Sequence, residues 1–387
     1  MKERIFICTH SQLPRGDANS NYIFHMALSL VEEGFEVIAI GRSKSSNTSI
    51  EKVEGVLCVN IARSKRLPAK IEGHIFFGSQ MCRELRNYHI RKDDYLILYG
   101  GYVSLFHSIA NKMNWLEKGH ITACVVEWPT KQQFRWKHID PNYLLWKYVF
   151  NRMIPKWKKV VAISENLCSH FTECDCDTFL LPPMINAQRK ISGERKSFEK
   201  QVFIYAGADT QKDAIRNMLF AVEKLSDQDR SCFDFHITSL TEEKARKLLG
   251  EKQYILDEYE ECLHIHGWME YEDLINLYYV SDYLLLARET NQFTRSNFPS
   301  KVPEMMNYGI IPVCSRVGDY TDSYLHHLVD SIIFEGASSD ACADAIRTAI
   351  SIPEEKRICM SQKAIENARD HFDYKQWGKK LSEFILD

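Results

Sequence analysis

Residues 4–40 read RIFICTHSQLPRGDANSNYIFHMALSLVEEGFEVIAI. RIFICT (4–9) is a short run rich in β-forming residues. Tyr22, Ile23, Met26, Ala27 and Leu30 recur at helical spacing, with Asn19 or Ser20 placed to cap the helix. Gly34 stands just past the helix end, where a left-handed residue is commonly needed. FEVIAI (35–40) is then a second buried strand. A strand–helix–strand unit of this size implies parallel pairing with a right-handed crossover.

The alternation continues outward from this unit. Further strands are expected at 56–60 (VLCVN), 95–100 (YLILYG), 121–127 (ITACVVE) and 159–164 (KVVAIS). A polar, charged stretch over 185–200, after Pro182–Pro183, reads as an interdomain linker. The series then restarts, with strands at 201–207, 233–239, 262–267, 281–288 and 310–315. Helices are expected between them at 212–225, 242–259, 271–281 and 301–308. The expected fold class is therefore α/β, with two Rossmann-like domains whose parallel sheets face an interdomain cleft. The expected boundaries are 1–184, a linker over 185–200, and 201–370, with a C-terminal helix over 371–387 that can pack back on the first domain. A chain of 387 residues exceeds one hydrophobic core, consistent with two domains.

Composition narrows the function. Lys plus Arg is 49 and Asp plus Glu is 52, so a protein that coats nucleic acid is not expected. No run approaches the roughly 18 apolar residues of a membrane span. The start, MKERIFICTH, reads as a strand rather than a signal peptide, so a cytoplasmic setting is expected. The 12 cysteines are mostly scattered singly, and Cys174 with Cys176 has no second pair at zinc spacing. No metal site and no cofactor are expected.

The motifs exclude as well as suggest. The first strand-to-helix loop holds only Gly16, and neither half contains G-x-G-x-x-G or a P-loop. A small polar loop opening a helix can still present amides to an anion. In YAGADTQKDAIRNM, Gly207 ends a strand and Lys212 opens a helix, where a lysine can meet a phosphate. The most informative segment is 287–315, ARETNQFTRSNFPSKVPEMMNYGIIPVCS. Ser300 reads as a helix cap, and free N–H groups beside Lys301 would form an anion cradle. Glu304, one turn in, offers two carboxylate oxygens to a vicinal diol such as a ribose. Glu127 and Trp128 follow the strand ITACVVE, where a carboxylate could stabilise positive charge or steer a hydroxyl.

These residues resemble the retaining glycosyltransferases of family 4, which have the GT-B fold. Phe298, Glu304, Met305, Gly309 and Pro312–Val313 match that family's E-x7-E segment in order, with Glu304 as the second, ribose-binding glutamate and Ser296 at the first glutamate position. Phe298–Lys301, Gly207–Asp213 and Leu284–Glu289 are similar to loops of a bacterial polysaccharide-synthesis branch. The resemblance implies a nucleotide-diphosphate-sugar donor bound by the second domain and an acceptor-side first domain. Lys212 would hold the diphosphate with Arg288 or Lys301, Lys301 being favoured. The Pro14–Ala18 loop with Gly16 would meet diphosphate and acceptor. It further implies retention, no protein nucleophile, no metal, and a glycan or lipid-linked acceptor. Glu127 falls where many relatives carry a histidine.

Two rivals stay open. A nucleotide-sugar epimerase or hydrolase would need acid/base groups such as His10, His107 or His266. A non-catalytic nucleotide-sugar-binding scaffold would suit Ser296 at the first glutamate position. Separately, residues 131–159 carry Lys131, Arg135, Lys137, Lys147, Arg152, Lys156, Lys158 and Lys159 against one acid, Asp140, with Trp136, Trp146 and Trp157 interleaved. Peripheral contact with anionic lipid and a basic helix packed by Leu144, Leu145, Tyr148 and Val149 are equally open readings.

Overall fold

A computed structural model of the chain describes residues 3–14, 16–63, 69–134, 136–188, 200–207 and 212–387. Arg15, Arg135 and most of the expected linker lie outside the described residues. The chain divides into two compact units: Met1–Asn186 with Asp373–Asp387, and Ala187–Phe372.

The first unit is built on β1 (Arg4–Cys8), β2 (Glu36–Arg42), β3 (Ser49–Val53), β4 (Val56–Ile61), β5 (Tyr95–Tyr99), β6 (Ile121–Val125), β7 (Lys159–Ala162) and β8 (Asp177–Leu180). Their order is β3-β4-β2-β1-β5-β6-β7-β8, all neighbours parallel except the β3–β4 hairpin. The second unit has β9 (Gln201–Ala206), β10 (Phe233–Thr238), β11 (Leu263–Gly267), β12 (Tyr283–Leu286), β13 (Ile311–Ser315) and β14 (Ile332–Phe334), ordered β11-β10-β9-β12-β13-β14 and wholly parallel. Central strands such as Tyr95–Tyr99 and Tyr283–Leu286 are buried along their length, as helices on both faces of a parallel sheet require. Among the parallel strands of each sheet the order reverses once, between β1 and β5 and between β9 and β12. Ligands of such sheets bind beyond the carboxyl ends of the strands at that reversal.

Local chemistry shifts some expected boundaries. The helix Ala18–Glu32 is capped by Asp17, not by Asn19 or Ser20. The Asp17 carboxylate accepts from Ser20 N at 2.9 Å, and the Ser20 hydroxyl accepts from Asp17 N at 2.8 Å. Asn19 Oδ1 instead accepts from the Tyr99 hydroxyl at 2.7 Å. The single helix expected over 242–259 is broken at Gly250, whose φ of 62° ends Glu242–Leu249.

Residues 373–387 belong to the first unit. Tyr374 N donates to Ile185 O at 3.0 Å, and the helix Gly378–Leu386 lies against Ala18–Glu32. A Cβ on Gly378 would stand 2.4 Å from the Ser29 carbonyl, so only glycine permits this approach. Among the described residues no helix is long and apolar enough to cross a membrane.

At the free edge of the second sheet, His236 Nδ1 lies 2.8 Å from His266 Nε2, and the His236 ring is 4.5 Å from that of His264. His264 Nε2 is 3.2 Å from Asp234 Oδ1. Burial first, then the neighbouring His264 and His266, push the His236 pKa down to about 4, against the opposing pull of Asp234. The unfolded chain takes up this proton near 6.5, whereas the folded chain resists it until about 4. Acid therefore favours the unfolded state across that window. The melting temperature of the second unit is expected to fall as pH drops from about 6.5 towards 4, and less steeply in His236→Gln. Parallel melting curves for the two proteins would contradict this.

Candidate active site

The carboxyl ends of β9 and β12 carry Gly207 and Arg288, and the helix Lys301–Asn307 brings Lys301 to the same place. Asp213 organises them. Its Oδ1 accepts from Arg288 Nε at 2.6 Å, and its Oδ2 accepts from Lys301 Nζ at 2.8 Å and from the Tyr205 hydroxyl at 2.5 Å. Burial alone would raise the Asp213 carboxyl, but Arg288 and Lys301 hold it far below the usual range. Two cations share one anion, so the cluster keeps net positive charge.

Lys301 and Arg288 do different things within it. The Lys301 side chain is 17% exposed and its ammonium sits 4.2 Å from the Tyr205 ring centroid. Gly207, at φ 150°, leaves room for it: a Cβ there would lie 2.8 Å from Lys301 Nζ. Arg288 is only 3% exposed, with its NH1 on Asn297 Oδ1 at 3.0 Å and its backbone N on Ser315 Oγ at 2.7 Å. Arg288, expected as a donor contact, thus has its guanidinium buried between Asp213 and Asn297. Lys212 is half-buried, its ammonium 5.0 Å from the Phe293 ring centroid, and residues 208–211 before it lie outside the described residues.

Other expectations change at the helix start. Ser300 has helical dihedrals (φ −57°, ψ −23°) and makes no side-chain capping bond. Pro303, at the third helical position, has no N–H to give it, and Val302 N is already bonded to Pro299 O at 3.0 Å. The anticipated cradle of open amides is thus largely absent there, and positive charge at this spot rests on Lys301. The Phe298 ring packs against Tyr320, Tyr324 and Phe372 at 5.7, 5.5 and 5.6 Å, a core role that leaves only its backbone for a ligand. Ser296 is fully buried and donates to Gln292 O at 2.7 Å. Glu304 is half-buried one turn after Lys301, near enough to Tyr278 that its charge adds to burial in raising that phenol.

A second constellation lies at the β1/β5 reversal of the first unit. A cavity of about 340 Å³ is lined by His10, Asn19, Tyr99, Glu127, Phe134 and Trp146, among others. Burial lowers the His10 pKa, with Arg42 assisting and Asp17 and Glu127 opposing, so the imidazole is neutral at neutral pH. Its Nδ1 is buried without a hydrogen-bond partner among the described residues. His10 directly follows β1 and its neighbour Thr9, a position the strand reading exposes but assigns only to a rival function. Gly16 is exposed just before the capping Asp17 and does not line the cavity. Trp128 packs on Phe150 and His170, at 4.9 and 4.6 Å, while Glu127 faces the cavity.

Of the histidines named for an epimerase, His10 lines the cavity, His107 stacks on Tyr148 at 6.3 Å and His266 belongs to the sheet-edge pair. Asp175 pairs with Lys158. Among the described residues no group of three or more His, Cys, Asp or Glu side chains is arranged to hold a metal ion.

Residues 200–351 match the family model for glycosyl transferases group 1. No curated protein matches the chain. Over its whole length the chain superposes on a glycosyltransferase from Rickettsia africae ESF-5, at 15% identity and TM-score 0.69 with 99% of that chain covered. A structure described as trehalose-6-phosphate from E. coli bound with UDP-2-fluoro glucose superposes with TM-score 0.75 at 11% identity, covering 100% of this chain and 99% of that one. Sucrose-phosphate synthase from Thermosynechococcus elongatus gives TM-score 0.72 at 11% identity, covering 100% and 98%. The chain has the GT-B fold.

Proposed function

We propose that this chain is a retaining, metal-independent glycosyltransferase that moves a sugar from a nucleotide-diphosphate donor to an acceptor hydroxyl, in polysaccharide or glycoconjugate synthesis in the cytoplasm. The observation that carries the reading is the Arg288–Asp213–Lys301 cluster at the strand reversal of the second sheet, inside the segment matched by the glycosyl transferase family. Breaking the bond from sugar to diphosphate develops negative charge on the leaving oxygens. A cation already aimed and held needs no reorganisation to meet it, and Asp213 holds Lys301 in this way. Lys212 supplies the second cation in this reading, and Glu304 takes the ribose hydroxyls. The acceptor enters the cavity of the first unit, where Glu127 and neutral His10 meet its hydroxyl and the aromatic lining covers its sugar faces.

Thermal-shift titration with UDP-, GDP- and ADP-sugars tests donor binding, because a ligand of the folded state raises its melting temperature. Glu304→Ala is expected to weaken donor affinity about 10–100-fold, the worth of hydrogen bonds to a charged group. Glu127→Gln is expected to keep the donor shift and lower turnover about 100-fold, within the range of general acid–base groups. An unchanged shift in the first variant, or unchanged turnover in the second, removes that residue from its role.

Buried Ser296, with its hydroxyl spent on Gln292 O, favours a second reading, a nucleotide-sugar-binding scaffold without turnover. Donor binding with no transfer and no hydrolysis across a broad acceptor panel supports that alternative.

A further inference from the structure

The segment from Lys131 to Trp157 folds in an unusual way for so aromatic a sequence. Its helix, Pro141–Tyr148, has no buried residue. Asn142 and Trp146 line the cavity from one side of this helix, while Leu144, Lys147 and Tyr148, spaced along the opposite side, are exposed. Of the packing face Leu144, Leu145, Tyr148 and Val149, the other reading left open, Val149 is buried and Leu145 half-buried, while Leu144 and Tyr148 stay exposed.

The turn just before the helix exposes large apolar side chains as well. Trp136 is 58% exposed, Ile139 66% and Leu144 51%. Lys131, Lys137, Lys147, Arg152 and Lys156 are exposed along the same segment, and none of them forms an ion pair among the described residues. Asp140, the sole acid between 131 and 159, is buried and spent on Asn142 N at 2.9 Å. The other basic residues of the stretch are used elsewhere: Lys158 pairs with Asp175, and Lys159 is buried with its ammonium on Ile385 O at 3.2 Å. Trp157 is buried as well.

We propose that this face, Trp136, Ile139, Leu144 and Tyr148 with Lys137 and Lys147 between them, docks on an anionic lipid bilayer. Charge complementarity selects the occupant. Unpaired cations around a few large apolar side chains match a surface that offers phosphates above hydrocarbon, the geometry of interfacial helices. Because the same helix lines the cavity with its other side, docking would set the cavity beside the headgroups. Resting on the glycosyltransferase reading, this identifies the acceptor class as one carried by a membrane lipid.

Vesicle co-sedimentation of the full chain tests the surface. Phosphatidylcholine vesicles are compared with phosphatidylcholine mixed with phosphatidylglycerol, at low and at high salt. Binding is expected with the anionic vesicles and is expected to weaken with salt. Replacing Lys137, Lys147 and Arg152 together by Ser is expected to cost on the order of 100-fold in partitioning, about fivefold per charge. Leu144→Glu is expected to reduce partitioning with no change in melting temperature, since that side chain is exposed. Absent binding to anionic vesicles, or binding that these variants leave untouched, overturns the proposal; so does an acidic protein that the same variants release while vesicle binding stays nil. Transfer to a short water-soluble acceptor is expected to be unchanged in the face variants, while transfer to the same glycan on a vesicle-embedded lipid falls. Failure of all transfer by the unaltered chain would count against the glycosyltransferase reading alone, because vesicle binding is measured without donor.

Discussion

Asp213→Asn is expected to lower the melting temperature of the second unit by on the order of 10 °C. Asp213 is buried, and Arg288, only 3% exposed, depends on it. Removing one partner of such a pair leaves an uncompensated buried charge, a loss of roughly 3–5 kcal/mol. In a unit of this size each kcal/mol moves the midpoint by about 2–4 °C. The asparagine keeps the shape, so the loss isolates the charge. Calorimetry on the full chain reads the effect, and the transition of the first unit should stay in place. A shift under about 2 °C would show that the carboxylate is not the counter-ion that holds the cluster. The triple change Asp213→Asn, Arg288→Met, Lys301→Met should recover part of the loss, since no buried charge is then left without its counter-ion.

Lys301→Met is expected to separate function from stability. Arg288 still pairs with Asp213 in this variant, and the methionine still covers the Tyr205 ring, so the melting temperature should move by only a few degrees. Turnover should fall about 10²–10³-fold, the usual effect of deleting one preorganised group that stabilises transition-state charge. A loss confined to KM with kcat intact would mean that Lys301 binds the ground state and the transition state equally. No loss in either would remove Lys301 from the diphosphate.

The alternation of strands and helices is legible in the sequence because buried parallel strands, such as β5 and β12, are continuous apolar runs. β3 escapes that reading: SIEKV is nearly all exposed and pairs only at the outer edge of the sheet. At the site, the two loops around Gly207–Asp213 and 287–304 stand out by residue type and spacing. The carboxylate at their centre does not, because its partners Arg288 and Lys301 lie 75 and 88 positions away. Phe298 stands in a polar loop of the sequence, and the partners that enclose its ring, Tyr320, Tyr324 and Phe372, all come later in the chain. The failure of Ser300 as a cap was visible in principle, since a proline three positions on removes the amide that a cap requires. The basic stretch divides for a similar reason. Lys159 begins β7, and strand pairing draws it inward while leaving Lys137 and Lys147 in water.

The return of Asp373–Asp387 to the first unit gives the polypeptide two passages between its halves, one after Asn186 and one after Phe372. A protease that nicks the backbone after Phe372 alone leaves the halves joined through Asn186, whereas a nick after Asn186 alone leaves them held only by the packing of Asp373–Asp387 on the first unit. Denaturant would part the pieces after the cut at Asn186, while native buffer would keep them together. Nor is the leading half a contiguous gene fragment: a polypeptide stopped at Asn186 would bare the flank of Ala18–Glu32 on which Gly378–Leu386 rests, and would be recovered intact only if the closing residues were supplied as a separate peptide.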